Sequence, residues 1–213
     1  WQDFGTGWSG DIGCHVFDAS WKALDLTAPK TVHATVQQSW RQSPSRRADT
    51  WPQSDHITWT FPGTPLTEKD EVSVEWFDGR MYPPEEAKKW YPGTTYPPES
   101  ALMVGTEGAI LIPNGGGAML LPRDQYKGTA QPKLETRNHY HHFLDAILGT
   151  AENESFFEQT GPMTEAILLG TVAIRTPGET LNWDAKNLSI PGNPSAHKLL
   201  KREYRTGWQV AGF

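Results

Sequence analysis

The sequence predicts an α+β fold: a large, mostly antiparallel sheet with helices packed on one face. Three observations carry that expectation. Runs at 31–38, 56–61 and 71–77 alternate polar with apolar residues and are rich in β-branched and aromatic side chains, as half-buried strands are. Three short apolar runs between 101 and 122 are separated by Gly-Thr-Glu-Gly and Asn-Gly-Gly-Gly, which reads as a β-meander. Apolar residues near 12–24 and 161–174 recur at helical spacing instead. The 213 residues are enough for one sizeable core, so a single domain over 1–213 is expected.

The elements follow in order. Ile12, Val16, Ala19 and Ala23 lie on a helix expected over 11–24, and Pro29 stops any continuation. The strand at 31–38 leads into a polar stretch, 39–55, read as a solvated loop in which Trp40 and Trp51 accompany Arg41, Arg46 and Arg47. Strands at 56–61 and 71–77 end at Pro62-Gly63 and Asp78-Gly79. Residues 80–100 are rich in Pro and Tyr and read as an irregular insertion, with room for a short helix over 84–90. After the meander, 138–148 forms a helix ended by Gly149, with Tyr140, Phe143 and Ile147 as its buried stripe. His139, His141 and His142 lack the companions that would complete a metal site, and none is expected. The segment 161–174 is apolar on nearly every side, so its helix is central, with Pro162 in its first turn. A short strand at 180–184 and a basic tail anchored by Tyr204 and Trp208 complete the chain.

Composition narrows the function classes. A net charge of -6 argues against broad binding to nucleic acid or to an anionic membrane surface. No run approaches the roughly 20 apolar residues of a membrane helix. Ten tryptophans offer aromatic surface for carbohydrate-like ligands. Cys14 is the one cysteine, which forbids an intrachain disulfide. It neighbours His15, but adjacent helical residues point about 100° apart, so no nucleophile pair forms and Cys14 reads as a small buried residue.

The chemistry-bearing stretch is Gly5-Thr-Gly-Trp-Ser-Gly-Asp-Ile-Gly-Cys-His-Val-Phe-Asp18. Its glycines allow positive φ or a close approach of backbone to ligand. Asp11, His15 and Asp18 follow at i, i+4 and i+7 and share a helix face. A carboxylate one turn before an imidazole orients the ring and favours its protonated form, which equips His15 for proton transfer near neutral pH. The plainer alternatives are that Asp11 caps the helix, that His15 is a packed core histidine and that Asp18 is solvated.

This stretch resembles the substrate-domain signature of the Gfo/Idh/MocA oxidoreductases, a glycine-rich turn followed by D-x-G-x-H-x-x-D, matched here by Asp11, Gly13, His15 and Asp18. W-F-D-G near Trp76, V-G-T-E-G near Val104, F-L-D-A-I-L-G near Phe143, G-P-M-T-E-A-I-L-L-G near Gly161, L-N-W-D near Leu181 and the late Y-R-T-G-W follow in the family's order. The resemblance implies a C-terminal substrate and oligomerisation domain of bacterial type. It also implies an NAD(P)-dependent reaction on a sugar, polyol or glycoside, with His15 as proton donor or acceptor and Asp11 assisting it. Asp18, Arg41, Arg80 and Tyr82 are the further candidates for substrate binding. It implies a homo-oligomer through the open sheet face as well, to which Trp59, Trp76 and Phe77 lend apolar surface.

One part of the family pattern is missing. No strand–GxGxxG–helix unit occurs, so the N-terminal Rossmann domain is absent from this chain. The chain opens on Trp-Gln-Asp-Phe, as a piece starting mid-domain would. NAD or NADP is therefore expected in a longer parent, while this chain alone is expected neither to bind cofactor nor to transfer hydride. The alternative is a carbohydrate-binding or scaffold domain without redox chemistry.

Overall fold

A computed structural model describes residues 1–91, 95–130 and 132–211; the expectations for 92–94 and for the last two residues of the tail lie outside them. The fold is α+β, with every strand pairing antiparallel. Helix α1 (Gly7–Ala23) precedes β1 (Thr31–Val36), the short helices α2 (Gln38–Arg41) and α3 (Pro44–Asp49), β2 (Asp55–Pro62) and β3 (Glu71–Phe77). A short α4 (Glu85–Lys88) leads to β4 (Ser100–Val104), β5 (Ala109–Pro113) and β6 (Met119–Leu121). Helices α5 (His139–Ile147) and α6 (Phe157–Arg175), strand β7 (Thr180–Asn182) and helix α7 (Pro194–His197) complete the order, with a 3₁₀ turn over Lys198–Leu200. Among the described residues the strands divide between two sheets, β3-β2-β1-β7 and the meander β4-β5-β6.

The pleat decides what the first sheet buries. Along β2 the residues Ile57, Trp59 and Phe61 point to the helices, and His56, Thr58 and Thr60 point away. Register places Val72, Val74 and Trp76 of β3 beside that apolar row. Phe17 of α1 lies 6.0 Å from both Trp59 and Phe61, and Trp21 lies 5.9 Å from Phe61, ring centroid to ring centroid, a geometry aromatic rings favour. Small residues let the layers approach. An added Cβ at Gly13 of α1 would sit 3.2 Å from Ile167 of α6, and one at Gly170 would sit 2.6 Å from Trp59. Trp59 also donates its Nε1–H to the Ala166 carbonyl at 2.8 Å, so its polar atom is satisfied inside the core.

The opposite face of this sheet is polar. Thr31, His33, Thr35, His56, Thr58, Thr60, Ser73 and Glu75 share it. The apolar argument for oligomerisation therefore changes: Trp59 and Trp76 face the helices, and only Phe77, stacked on His56 at 4.2 Å, lies on the outer side.

Four local expectations are corrected. The polar stretch 39–55 contains most of α2 and all of α3; α3 forms where Ser43 accepts from the Arg46 N–H and Pro44 occupies the first helical turn. Helix α6 begins a turn earlier than its apolar pattern, which leaves Pro162 inside the helix. The stripe Tyr140, Phe143 and Ile147 on α5 is exposed, although Asn138 Oδ1 caps that helix as an N-cap side chain should. Tyr204 and Trp208 are exposed too, rather than anchored; the Arg205 guanidinium lies 4.3 Å over the Trp208 ring.

Candidate functional site

Helix α1 starts at Gly7, whose φ of +78° suits glycine and whose Cα faces Trp51. Thr6 makes no capping bond, and Asp11 lies inside the helix, past its first turn. Asp11 is thus not a cap. Gly10 and Gly13 serve packing: an added Cβ at Gly10 would lie 3.2 Å from Thr171, and Gly13 faces Ile167. These contacts, with Asp18 against Gln159 of α6, run α1 and α6 antiparallel.

The buried stripe of α1 is Ser9, Gly13, Phe17, Ser20 and Trp21. At 100° per residue, His15 and Asp11 fall on the opposite side, and both are exposed. The His15 ring makes no hydrogen bond among the described residues, with Asp11 or with any other group. Cys14 is exposed as well, against the expectation of burial, because it falls off the stripe; its Sγ lies 3.6 Å from the Asp11 carbonyl. Asp18 is half-buried and engaged. Its Oδ1 accepts from Gln159 Nε2 at 3.2 Å, and its Oδ2 lies 3.8 Å from Lys22 Nζ. That ties Asp18 to the helix pair and leaves His15 and Asp11 as the two unengaged members of the face.

The other candidates lie elsewhere. A large open groove of about 2470 Å³ runs between α1, β3 and the meander, and Trp8, Trp76 and Tyr82 are among its lining residues. Arg80 is exposed beside it and is fixed through its backbone N–H, which donates to Ser54 Oγ at 3.0 Å. Arg41 lines a second groove, with Arg47 and Arg175. His15, Asp11 and Asp18 line neither groove. The structure keeps Asp11, His15 and Asp18 on one helix face, as their spacing requires, and leaves Arg41, Arg80 and Tyr82 apart from them.

Sequence reasoning missed a carboxylate pair, buried Asp55 and half-buried Asp78. Asp55 opens β2 in phase with Ile57, Trp59 and Phe61, so the pleat turns it inward, and it is 3% exposed. The Asp78 Oδ1 accepts from the Asp55 N–H at 2.9 Å, and the Asp78 N–H donates to the Asp55 carbonyl at 3.1 Å. Asp55 Oδ1 has no hydrogen-bond partner among the described residues. Burial, then the nearby Asp78 charge, pushes the Asp55 carboxyl up to about 8. Burial raises Asp78 also, opposed by hydrogen bonds from Trp76 Nε1 and the Asp55 N–H. The signal was present: an Asp in the apolar phase of a strand, followed downstream by Asp-Gly at the end of its neighbour.

Among the described residues no three His, Cys, Asp or Glu side chains gather as metal ligands. His142 Nε2 lies 3.0 Å from Arg137 Nη1, and Arg137 also pairs with Glu154 on the surface. No described helix is long and apolar enough to cross a membrane. Comparisons with models of known protein families, with characterised proteins and with solved structures find no match to this chain.

Proposed function

We propose that this chain is the substrate-side part of an NAD(P)-dependent oxidoreductase acting on a sugar, polyol or glycoside, in which His15 exchanges the proton of the reacting hydroxyl or carbonyl. The cofactor supplies or accepts hydride at the carbinol carbon, and Asp11 assists the imidazole from one helical turn away. The observation that supports this reading is the exposure of His15 and Asp11 on the face of α1 opposite its buried stripe. A packing histidine would lie among Phe17, Trp21 and Ile167. Instead the ring is open to an incoming substrate, and a cofactor-bearing surface apposed to α1 would enclose it.

The test is turnover by the product of the complete reading frame, followed as NAD⁺ or NADP⁺ reduction across a panel of sugars and polyols. His15→Ala is expected to lower kcat by roughly 10²–10⁴, the size of a general acid–base contribution, with an unchanged melting temperature because the side chain is exposed. Asp11→Asn loses less, since it keeps a hydrogen-bonding side chain and removes only the charge. Unchanged kcat in His15→Ala, or no cofactor-dependent turnover with any member of the panel, overturns the reading.

One observation favours a second reading, a carbohydrate-binding domain without redox chemistry. The large groove carries Trp8, Trp76 and Tyr82, aromatic faces of the kind that stack on sugar rings, and His15 does not line it. Sugar binding that quenches tryptophan fluorescence, is unaffected by His15→Ala and is lost in Trp8→Ala would favour this reading over the first.

A further inference from the structure

We propose that the groove between α3, the C-terminal end of α6 and α7 binds a phosphoryl-group anion, with Arg41, Arg47 and Arg175 supplying the positive charge. The groove is open, about 680 Å³, and its lining also includes Trp40, Ser195 and one carboxylate, Glu179. One oxygen of that carboxylate is turned to Asn193, whose Nδ2 donates to Glu179 Oε2 at 2.6 Å. The ion pairs among the described residues involve Lys22, Lys30, His56, Lys88 and Arg137. None of the three groove arginines has a carboxylate partner there.

Part of this charge answers the carbonyl end of α6, where cations are favoured. Arg47 Nη2 donates to the Arg175 carbonyl at 3.2 Å, and its guanidinium lies 5.9 Å over the Trp40 ring. Arg41 and Arg175 are not spent in that way, because their guanidinium groups make no hydrogen bond among the described residues. Arg41 extends over the chain at Gly178, which has φ +87°, and an added Cβ there would lie 3.1 Å from Arg41 Nη2. The glycine at that position leaves the guanidinium its space. Three guanidinium groups against one carboxylate leave the groove net positive in a chain whose net charge is -6, and a bound anion relieves their mutual repulsion.

Guanidinium forks match phosphate oxygens in pairs. Three of them with the Ser195 hydroxyl offer more donors than the two oxygens of a carboxylate accept, which favours a phosphomonoester or phosphate dianion. The site is separate from His15. Thr171 faces Gly10, and Arg175 lies one turn beyond Thr171, so the groove sits past the N-terminal turn of α1. The inference therefore does not rest on the oxidoreductase reading.

Calorimetric titration of the full chain with inorganic phosphate, a hexose phosphate and the unphosphorylated hexose tests it. The first two are expected to bind saturably, with sulfate competing, and the hexose alone is not. Tighter binding of the hexose phosphate identifies a phosphorylated small molecule as the ligand, and equal binding identifies free phosphate. Arg41→Gln and Arg175→Gln, both at exposed positions, should each weaken phosphate about tenfold with little change in melting temperature, whereas Arg137→Gln, outside the groove, should not. No saturable binding at millimolar phosphate, or equal affinity in wild type and both groove variants, overturns the proposal.

Discussion

Helices α5 and α6 are both rich in apolar residues, and the structure treats them oppositely. Met163, Ala166, Ile167, Leu169, Val172, Ala173 and Ile174 of α6 are buried between α1 and the first sheet. On α5 no residue is buried, and Ile147 is 65% exposed. The difference lies in what each helix meets. α6 has Gly170 where Trp59 presses against it and Gly13 of α1 facing Ile167, so two layers close on it. Helix α5 sits in a stretch, 132–158, that is exposed almost throughout and meets α1 through surface contacts such as Lys22 Nζ to the Glu154 carbonyl at 3.1 Å. Apolar periodicity specifies a helix and the face it offers; it does not specify that the same chain covers that face.

The largest expected effect lies on the α6 side. Ile57 of β2 is fully buried and touches the space at Gly170. Ile57→Ala should destabilise by about 2–5 kcal/mol, the usual range for a large aliphatic truncated in a core. Denaturant unfolding measures it. A loss under about 1 kcal/mol would mean that the layer between α6 and the sheet is loosely packed, and the contrast between the helices would weaken.

The carboxylate pair at the start of β2 gives a second, pH-dependent effect. The Asp55 carboxyl, raised to about 8, holds its proton in the folded chain at pH values where the unfolded chain, near the ordinary Asp value of about 3.9, has lost it. The folded state then binds more protons, so the contribution is full below about pH 4 and fades as pH rises towards 8. Melting temperature should fall across that window, and Asp55→Asn should flatten the fall. A wild-type profile that rises between pH 5 and 8 and is unchanged in Asp55→Asn would show that Asp55 is solvated.

The same contrast explains what was legible in the sequence. Strand alternation was decisive wherever one face meets a core, so the strands at 31–38, 56–61 and 71–77 were readable, the first of them ending at Val36, and the Gly-rich turns marked the meander. Asp11, His15 and Asp18 share a face because helical geometry demands it. Burial was less readable. Cys14 is exposed because it falls off the buried stripe of α1, and nothing in the local pattern tells which side of that helix packs. The Trp59 and Trp76 side chains were ambiguous for the same reason, until the register with Ile57 and Val74 fixed them on the helix side. Arg41 and Arg175 are far apart in sequence, and only the closure of α6 beside α3 brings them to one groove.

The smallest effect is expected on α5, and it decides whether the comparison holds. Ile147 has the residue type and spacing of a core position, but its side chain lies in solvent. Ile147→Ser should therefore shift stability by no more than about 0.5 kcal/mol, the range for surface changes away from caps and networks. The helix keeps its Asn138 cap, so its local support is unaffected. Asn138→Ala supplies the internal control: it removes that cap and should cost helix α5 about 1 kcal/mol of local stability, seen in amide exchange of 139–147 rather than in global unfolding. If Ile147→Ser instead cost as much as Ile57→Ala at low protein concentration, α5 would be packed within its own chain. A cost that appeared only as concentration rose would place a second copy against Tyr140, Phe143 and Ile147, because mass action makes stability depend on concentration only when association is part of the folded state.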